Sequence, residues 1–228
     1  MKLGRRRIAI IAISIPMALV VMGYLLILYN FPETVIGYRL TATFKLNDQV
    51  STGTGVLQVR YQPQPCFDVC GINAVLSGDA IPIDFGKEAG TLWILLRSSS
   101  TTSPKQTVHN NSPAWLVPDL FGRSEADEGR PAYARRIRTF KGTKQLTFDQ
   151  LPQLLMLPND NIPAVPWRDM PGPLRAGDLK PEFINAQIET TEDPITRGIT
   201  SRLPWLIIDH NNKGALYLGG PYRDDFWR

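Results

Sequence analysis

The first strong feature in the pattern of hydrophobic and polar positions is an apolar run from Ile8 to Tyr29, which contains no charged residue. At 1.5 Å per residue a helix of this length spans roughly 33 Å, enough to cross the hydrocarbon core of a bilayer. Pro16 lies inside the run and predicts a modest kink. Tyr24 and Tyr29 lie at its far end, where aromatic side chains suit the headgroup region. The pattern predicts a transmembrane helix over residues 8–29.

Beyond this run the pattern changes to short alternating segments that are typical of β-strands. Tyr38–Leu46 and Val56–Tyr61 both alternate and are rich in β-favouring residues. We interpret Thr52–Gly55 as the turn that joins them in a hairpin. The same criteria predict further strands at Ala80–Phe85, Leu92–Leu96, Phe183–Thr190, Leu203–Ile208 and Ala215–Leu218, the last two as a closing hairpin. Leu92–Leu96 is wholly apolar, which indicates a strand buried on both faces.

The segments between the strands contain loops and little helix. Ser98–Pro113 is polar and predicts a loop. Phe148–Leu157 is apolar and predicts a short helix that begins near Asp149. The chain holds 19 prolines, which break helices and are excluded from central strands. The sequence therefore predicts a mainly β domain (α+β being the variant) over residues 38–228. This domain would be a sandwich or barrel-like, with one or two short helices, after a linker at 30–37.

The residues that precede the apolar run set its orientation. They include Lys2, Arg5, Arg6 and Arg7, with no acidic residue before Glu33. Basic residues resist translocation, so the tail 1–7 is predicted to stay in the cytoplasm while the rest of the chain crosses. A cleaved signal peptide is one alternative, but the run is long for one and offers no small-x-small cleavage site. A twin-arginine export signal is the other alternative.

Charge is distributed unevenly along the chain. The sequence pI is about 9.1, yet all 21 acidic residues follow residue 30, and so do 21 of the 25 basic residues. The part beyond the predicted anchor is therefore close to neutral. Its charge balance gives no reason to expect nucleic acid as a partner.

Cys66 and Cys70 are the two cysteines of the chain. Outside the cytoplasm such a pair is predicted to form a disulfide. In an extended strand the two Cα atoms would lie too far apart, so the chain between them must turn or coil for the bond to close. A redox or metal site is the alternative, but redox pairs usually have two intervening residues and no histidine is near in sequence. We favour a local structural bridge.

A basic stretch follows the middle of the chain, around Ile137 and Phe140. Its members are Arg135, Arg136, Arg138, Lys141 and Lys144. One interpretation is a contact with an acidic partner or with lipid headgroups. The other is a solvated edge strand whose charges discourage pairing with another sheet, and the sequence favours this second interpretation.

The chain offers few residues for catalysis. His109 lies in a polar loop and His210 in a predicted turn, and neither has metal-ligand spacing to a neighbour. There is no nucleophile elbow, no zinc-protease motif and no phosphate-binding loop. No catalytic residue, cofactor or metal ligand is therefore predicted.

Several segments resemble an uncharacterised family of bacterial envelope proteins. The most specific is Ile188–Leu206, IETTEDPITRGITSRLPWL. The others are Arg39–Thr41, Thr52–Val56, Ala80–Asp84 and Thr91–Leu96. The family comprises mainly proteobacterial proteins with an N-terminal anchor or a lipoprotein-like leader. The resemblance covers Tyr38 to Leu206 and implies an envelope location, but it implies no activity, and the cysteine pair is not part of the family's pattern.

The physical interpretation of the Ile188–Leu206 motif is structural. Glu192–Pro194 predicts a turn, and a short helix is predicted to begin at about Thr196. Three apolar residues recur at helical spacing, namely Ile195, Ile199 and Leu203. They would pack on the core, with Trp205 behind them, so a core role is favoured over a ligand role.

Together these features predict a single-pass protein of the bacterial inner membrane, with its N-terminus in the cytoplasm and a β-rich domain in the periplasm. The leading hypothesis is an interaction domain, with the bilayer and another envelope protein as partners. It predicts a broad apolar surface patch. The alternatives are an envelope hydrolase that uses carboxylates and a small-ligand-binding β domain. The hydrolase predicts a cleft with convergent carboxylates, or with His109 or His210 beside a partner group.

Overall fold

The computed structural model of the chain describes residues 17–26, 29, 32–64, 71–96, 112–122, 130–157 and 181–203. Residues 17–26 and 29 are helical. Across the ranges given, no helix is both long enough and apolar enough to cross a membrane. The predicted transmembrane segment, residues 8–29, falls partly outside the described residues, and the basic tail 1–7 falls wholly outside them.

The described strands form two antiparallel sheets, so the mainly β prediction is confirmed. The strands are β1 (Thr34–Leu46), β2 (Gln49–Pro63), β3 (Ile72–Ser77), β4 (Ile81–Asp84), β5 (Thr91–Ile94), β6 (Thr143–Leu146), β7 (Leu154–Leu157) and β8 (Glu182–Thr190). One sheet has the order β3-β2-β1-β8-β6 and the other the order β4-β5-β7. The main apolar cluster draws side chains from both sheets, so the core lies between them.

Strand β1 is the centre of the five-stranded sheet, and its sequence alternates along all of its 13 residues. The buried positions are Thr34, Ile36, Tyr38, Leu40, Ala42, Phe44 and Leu46. The predicted strand Tyr38–Leu46 is confirmed, and it begins earlier, at Thr34, inside the segment predicted as linker. Each second side chain faces the core, which fixes the register of the strand.

The prediction of a turn at Thr52–Gly55 is wrong. The chain reverses at Asn47, whose φ of 54° is left-handed, and Thr52–Gly55 continues inside β2. Gly53 and Gly55 are needed there because strand β4 crosses close above them. A Cβ on Gly55 would lie 2.6 Å from Ile81 Cγ1, and one on Gly53 would meet the carbonyl of Pro82. These glycines let the two sheets approach each other.

The three-stranded sheet is buried at its centre. All four residues of β5 are buried, which confirms the predicted buried strand, although it ends at Ile94. Leu95 and Leu96 are buried beyond its end. The β4–β5 connection contains the short helix Gly86–Ala89. A second apolar cluster lies on this sheet and contains Ala80, Trp93, Leu95, Leu155, Leu157, Ile199 and Leu203.

The interpretation of the basic stretch as an edge strand is wrong for its first part. Arg135 and Arg136 belong to the helix Arg130–Ile137, whose buried side is formed by Tyr133, Ala134 and Ile137. This spacing places the three buried residues on one side of the helix and the basic residues beside them. Only Lys144 lies in an edge strand, which is β6.

The predicted short helix near Asp149 is confirmed as the 3-10 helix Phe148–Gln150, which begins with a capping box between Thr147 and Gln150. The prediction that the helix continues beyond Gln150 towards Leu157 is wrong. Pro152 follows the 3-10 helix, and Leu154–Leu157 is strand β7, all of whose residues are buried. Packing against β5 therefore outweighs the helical preference of the leucine-rich segment.

The remaining described helices are Leu116–Phe121 and Ile199–Arg202. The second begins later than the predicted start at Thr196, because residues 191–198 are irregular. Cys66, Cys70, His109, His210 and Trp205 lie outside the described residues, as do almost all of the predicted Leu203–Ile208 strand and the whole of Ala215–Leu218. The disulfide, histidine, Trp205 and closing-hairpin predictions therefore stay predictions.

Candidate functional site

The outer side of the five-stranded sheet carries paired threonines. Because Leu40 and Ala42 point into the core, Thr41 and Thr43 point outward, and register places them opposite Thr54 and Thr52. The paired hydroxyl oxygens lie 2.8 Å apart for Thr41 and Thr54 and 2.9 Å apart for the other pair. Such cross-strand pairs stabilise the sheet and still offer lone pairs to an external donor.

Amide side chains extend these rows onto the neighbouring strands. Gln187 on β8 pairs in register with Thr41 and with Gln145, whose Nε2 donates to Gln187 Oε1 at 3.4 Å. Asn185 lies opposite Thr43. We call this surface the polar face, formed by Thr41, Thr43, Thr52, Thr54, Gln145, Asn185 and Gln187. Its donors and acceptors repeat at the spacing of the strands, roughly 4.8 Å, and it can therefore hydrogen-bond an extended polar surface.

An arginine with two carboxylate partners borders the polar face. Arg39 Nη1 donates to Glu189 Oε2 at 2.9 Å, and Nη2 contacts Asp193 Oδ2. Glu189 is the cross-strand neighbour of Arg39 on β8, whereas Asp193 comes from the irregular segment after that strand. All three side chains are partly exposed. The planar guanidinium suits such a two-carboxylate contact, which joins the segment after β8 to the centre of the sheet.

We call residues 191–203 the strap, because they cross from the five-stranded to the three-stranded sheet. Its first half is bound by backbone contacts. Thr191 N–H donates to Gly37 O at 2.9 Å, and a Cβ on Gly37 would lie 2.6 Å from Thr191 O. Thr196 N–H donates to Val56 O at 2.9 Å, while its hydroxyl accepts from Val56 N–H at 2.8 Å. Thr196 thus pairs with β2 much as a strand residue would.

A buried aspartate holds the second half of the strap. Asp79 is 3% exposed, and its Oδ2 accepts from Ile199 N–H at 3.0 Å. Arg197 Nη1 lies 3.8 Å from the other carboxylate oxygen. Ile199 and Leu203 then pack in the second apolar cluster. The predicted core role of these two residues is confirmed, and the Ile188–Leu203 part of the motif is explained as a connection between the sheets.

A second arginine fixes the end of the strap on the three-stranded sheet. Arg202 donates to Asp84 Oδ2 at 2.7 Å and to the Thr91 hydroxyl at 3.2 Å. Its guanidinium carbon lies 5.5 Å from the ring centroid of Trp93, within the range of a cation–π interaction. These three partners all belong to the three-stranded sheet, so we assign the cluster to structure.

Two buried tyrosines fix the chain at the end of the sheet where β1 begins. The Tyr38 and Tyr61 hydroxyls donate to Pro113 O and Ala114 O, each at 2.6 Å. Burial raises the pKa of the Tyr38 phenol well above its ordinary value. Tyr38 is therefore a neutral donor in the fold and not a general base.

The basic stretch lies at this same end of the domain. Arg135 Nη1 donates to Tyr29 O at 3.4 Å, and Arg138 Nη2 donates to Glu33 O at 3.0 Å. Arg136 differs from them, because its guanidinium donates to Gly122 O and lies over the ring of Tyr133. The fold therefore brings Arg135 and Arg138 of the basic stretch beside the exit of the predicted anchor, a proximity that the sequence alone does not show.

The described carboxylates were candidates for the hydrolase hypothesis. No group of three or more His, Cys, Asp or Glu side chains that could hold a metal ion occurs among the described residues. Asp79, Asp84, Glu189 and Asp193 each bind an arginine or a backbone N–H of the fold. A general acid or base must face its substrate, so these carboxylates do not support the hydrolase hypothesis.

Comparison of the chain with protein-family models, curated proteins and solved structures gives no match. The resemblance to an envelope family accordingly stays a prediction. The sequence contains a signal for the polar face that none of the predictions above used. Thr41 and Thr43 alternate with Ala42 and Phe44, and Thr52 and Thr54 alternate with glycines. In two paired strands this pattern places four hydroxyls on one face.

Proposed function

We propose that this chain is a single-pass protein of the bacterial inner membrane that displays its β domain in the periplasm. The domain binds another envelope component through the polar face of the five-stranded sheet. The tail 1–7 stays in the cytoplasm, and residues 8–29 form the anchor.

The exposure of apolar side chains in the helical residues 17–26 is the main support for the proposed anchor. Large apolar side chains of residues 17–26 are between 51% and 72% exposed, namely Met17, Leu19, Val20, Val21, Met22, Leu25 and Leu26. A helix with such side chains on all sides is disfavoured in water but favoured in lipid, where its backbone hydrogen bonds are already formed. The basic residues Lys2, Arg5, Arg6 and Arg7 support the proposed direction of insertion.

Reporter fusions test the anchor and its direction. Alkaline phosphatase fused after Arg228 should be active, and green fluorescent protein exported through the same anchor should be dark. The charge-reversed variant, with Lys2, Arg5, Arg6 and Arg7 changed to glutamate, should lower phosphatase activity several-fold. An inactive phosphatase fusion to the unaltered chain, or a mature N-terminus beyond Asn30, would overturn the proposal.

The surface of the domain supports a polar interface. Its exposed large apolar side chains, within the described residues, are Val35, Val50, Val75 and Ile184. Val35 and Val75 lie on either side of Arg60, and Val50 lies opposite Lys45 near the other end of β1. The described residues of the domain therefore show no broad apolar patch of the kind that the interaction hypothesis predicts. A non-obligate interface need be no more apolar than the rest of a protein surface, so the polar face is the better candidate.

Site-specific photocrosslinking tests the polar face. A benzophenone amino acid at Thr43 or Thr52 should give the same protein adduct in cells, while one at exposed Lys87 in the β4–β5 connection should not. The adduct from position 52 should disappear when Thr41→Lys adds a charged side chain to the face. Equal adducts from positions 52 and 87, or adducts with lipid alone at position 52, would contradict this role.

A further inference from the structure

Two exposed arginines, Arg135 and Arg138, contact the chain where it arrives from the proposed anchor, and exposed Lys141 follows them three residues later. We propose that Arg135, Arg138 and Lys141, together called the basic patch, dock the domain on anionic phospholipid headgroups beside that anchor. This inference rests on the proposed function, because it requires the domain to be tethered to a bilayer.

The helix Arg130–Ile137 fixes the position of the patch. Tyr133, Ala134 and Ile137 are fully buried, and the hydroxyl of Thr34, the first residue of β1, donates to Ala134 O at 2.7 Å. The helix is thus packed on the strand end nearest to the proposed anchor. The basic side chains next to its buried residues are held at this end, not on a freely moving loop.

Two of the patch residues contact the chain at the anchor exit. Arg135 donates to Tyr29 O and Arg138 donates to Glu33 O. Each contact uses one of the five N–H donors of an arginine, so the remaining donors can bind phosphate oxygens. Tyr29, itself 75% exposed, is an aromatic residue of the kind that lies at the level of the headgroups. These contacts therefore put Arg135 and Arg138 at the level expected for those headgroups.

Glu33, the described acidic residue nearest in the chain to this exit, does not neutralise the charge of the basic patch. Glu33 is bound by Arg60, at 3.2 Å, and by Gln62, at 2.8 Å. Strand β1 has 13 residues and therefore extends roughly 43 Å at about 3.3 Å per residue. The turn at Asn47 lies at its far end, several Debye lengths from the bilayer at physiological salt.

The expected effect of lipid charge is large. Each lysine or arginine close to an anionic membrane surface changes the binding equilibrium by about a factor of five. Three such residues change the ratio of docked to undocked domain by about a hundredfold. A tethered domain loses little entropy when it reaches the surface. The roughly hundredfold change in the ratio of docked to undocked domain is therefore enough to decide its orientation.

The test uses the full chain in nanodiscs made either of phosphatidylcholine alone or with about a third of phosphatidylglycerol. A fluorescent amino acid at Asp48, in the turn far from the anchor, reports wobble of the domain by time-resolved anisotropy. We expect restricted wobble in the anionic discs and free wobble in the neutral discs. Raising the salt concentration to about 0.5 M should release the domain in the anionic discs, because screening shortens the Debye length.

Matched variants separate charge from structure. The triple variant Arg135→Glu, Arg138→Glu, Lys141→Glu should wobble freely in both kinds of disc. Lysine at positions 135 and 138 keeps the charge and should preserve the restriction. Lys45→Glu with Lys87→Glu, away from the patch, should behave as the unaltered chain does. Equal wobble of the unaltered chain in both lipids, or persistent restriction of the triple variant, would overturn the proposal.

The anchor is tested separately by flotation with vesicles. A chain that floats with vesicles of either composition but shows no dependence of wobble on lipid charge refutes docking alone. A chain that fails to float refutes the proposed function itself. The melting temperature of each variant in detergent should match that of the unaltered chain, and a triple variant that melts early is replaced by the corresponding glutamine variant.

Discussion

At the scale of single residues, the fold depends on places where a side chain must be absent. Gly55 sits beneath Ile81 and Gly37 beneath the strap, and both positions face an atom that a Cβ would approach to 2.6 Å. Glycine usually weakens a strand, because its backbone loses more entropy on folding. Here that cost is offset by the close approach of a second layer of structure.

Gly55→Ala should destabilise the domain by about 1–3 kcal/mol, because the added methyl group overpacks the contact with Ile81. Urea unfolding followed by circular dichroism measures this change. Gly71→Ala is the matched control, since a Cβ there meets nothing within 4 Å. Equal stability of the two variants would show that the sheets can move apart without cost.

Tyr38→Phe should lower stability at neutral pH by about 1–3 kcal/mol, because it leaves the buried Pro113 carbonyl without its donor. It should also change the response to alkali. Burial raises the pKa of Tyr38, so the folded state keeps this proton more firmly than the unfolded chain, where the pKa is about 10. The stability linked to Tyr38 is therefore present below about pH 10 and falls above it, by up to about 1.4 kcal/mol per pH unit.

Unfolding free energies measured from pH 8 to pH 11 check this second expectation. The decline above about pH 10 should be shallower in Tyr38→Phe than in the unaltered chain. Parallel curves would mean that the phenol of Tyr38 ionises as easily in the fold as in the unfolded chain.

At the scale of elements, the strap decides how the sheets are joined. It has almost no regular structure, yet Thr196 pairs with β2, and the Asp79 carboxylate accepts a hydrogen bond from Ile199 N–H. Helical spacing in the sequence indicated that Ile195, Ile199 and Leu203 face the core. Ile199 and Leu203 are buried, whereas Ile195 precedes the helix and is only partly buried. The start of the helix at Ile199 depends on Asp79, which is distant in sequence and so invisible to a local pattern.

Asp79→Ala should destabilise the domain by about 2 kcal/mol, because a buried N–H loses its acceptor. Asp79→Asn keeps an acceptor oxygen and should cost less. Arg197→Gln should cost under about 1 kcal/mol, since Arg197 is about half exposed and its ion pair is partly solvated. Thermal unfolding of the three variants gives the order, and a reversed order would assign the role to the ion pair.

At the scale of the whole molecule, the proposed anchor and the domain share no apolar cluster among the described residues. None of the residues described for 17–29 belongs to either apolar cluster, whereas β1 begins at Thr34 and runs through the centre of the larger one. The domain should therefore fold without the segment that we propose as the anchor.

A chain that begins at Pro32 and is exported by a cleavable leader should be released from the membrane with unchanged stability. We expect its melting temperature to lie within a few degrees of that of the full chain in detergent, because a change of 1 kcal/mol shifts the melting temperature of a domain of this size by about 2–4 °C. A much lower value would show that the segment before Pro32 contributes to the stability of the core.

The sequence by itself determined the features that depend on neighbouring residues. Alternation in Tyr38–Leu46 and Phe183–Thr190 specified β-strands with one buried face, and the unbroken apolar run Leu92–Leu96 specified a strand buried on both faces. These patterns report burial at a period of two residues, which any sheet that covers a core must satisfy.

Only the tertiary structure decided features that depend on distant residues. Gly53 and Gly55 suggest a turn until β4 is seen to cross them, and the leucines of β7 suggest a helix until β5 offers hydrogen bonds. The alignment of Thr41 with Thr54 and Gln187, and the closeness of Arg135 to Tyr29, depend on strand register and on a helix packed at a sheet end. Such contacts are set by the packing of the entire core, because the energy of a local segment is too small to choose among the surfaces it could meet.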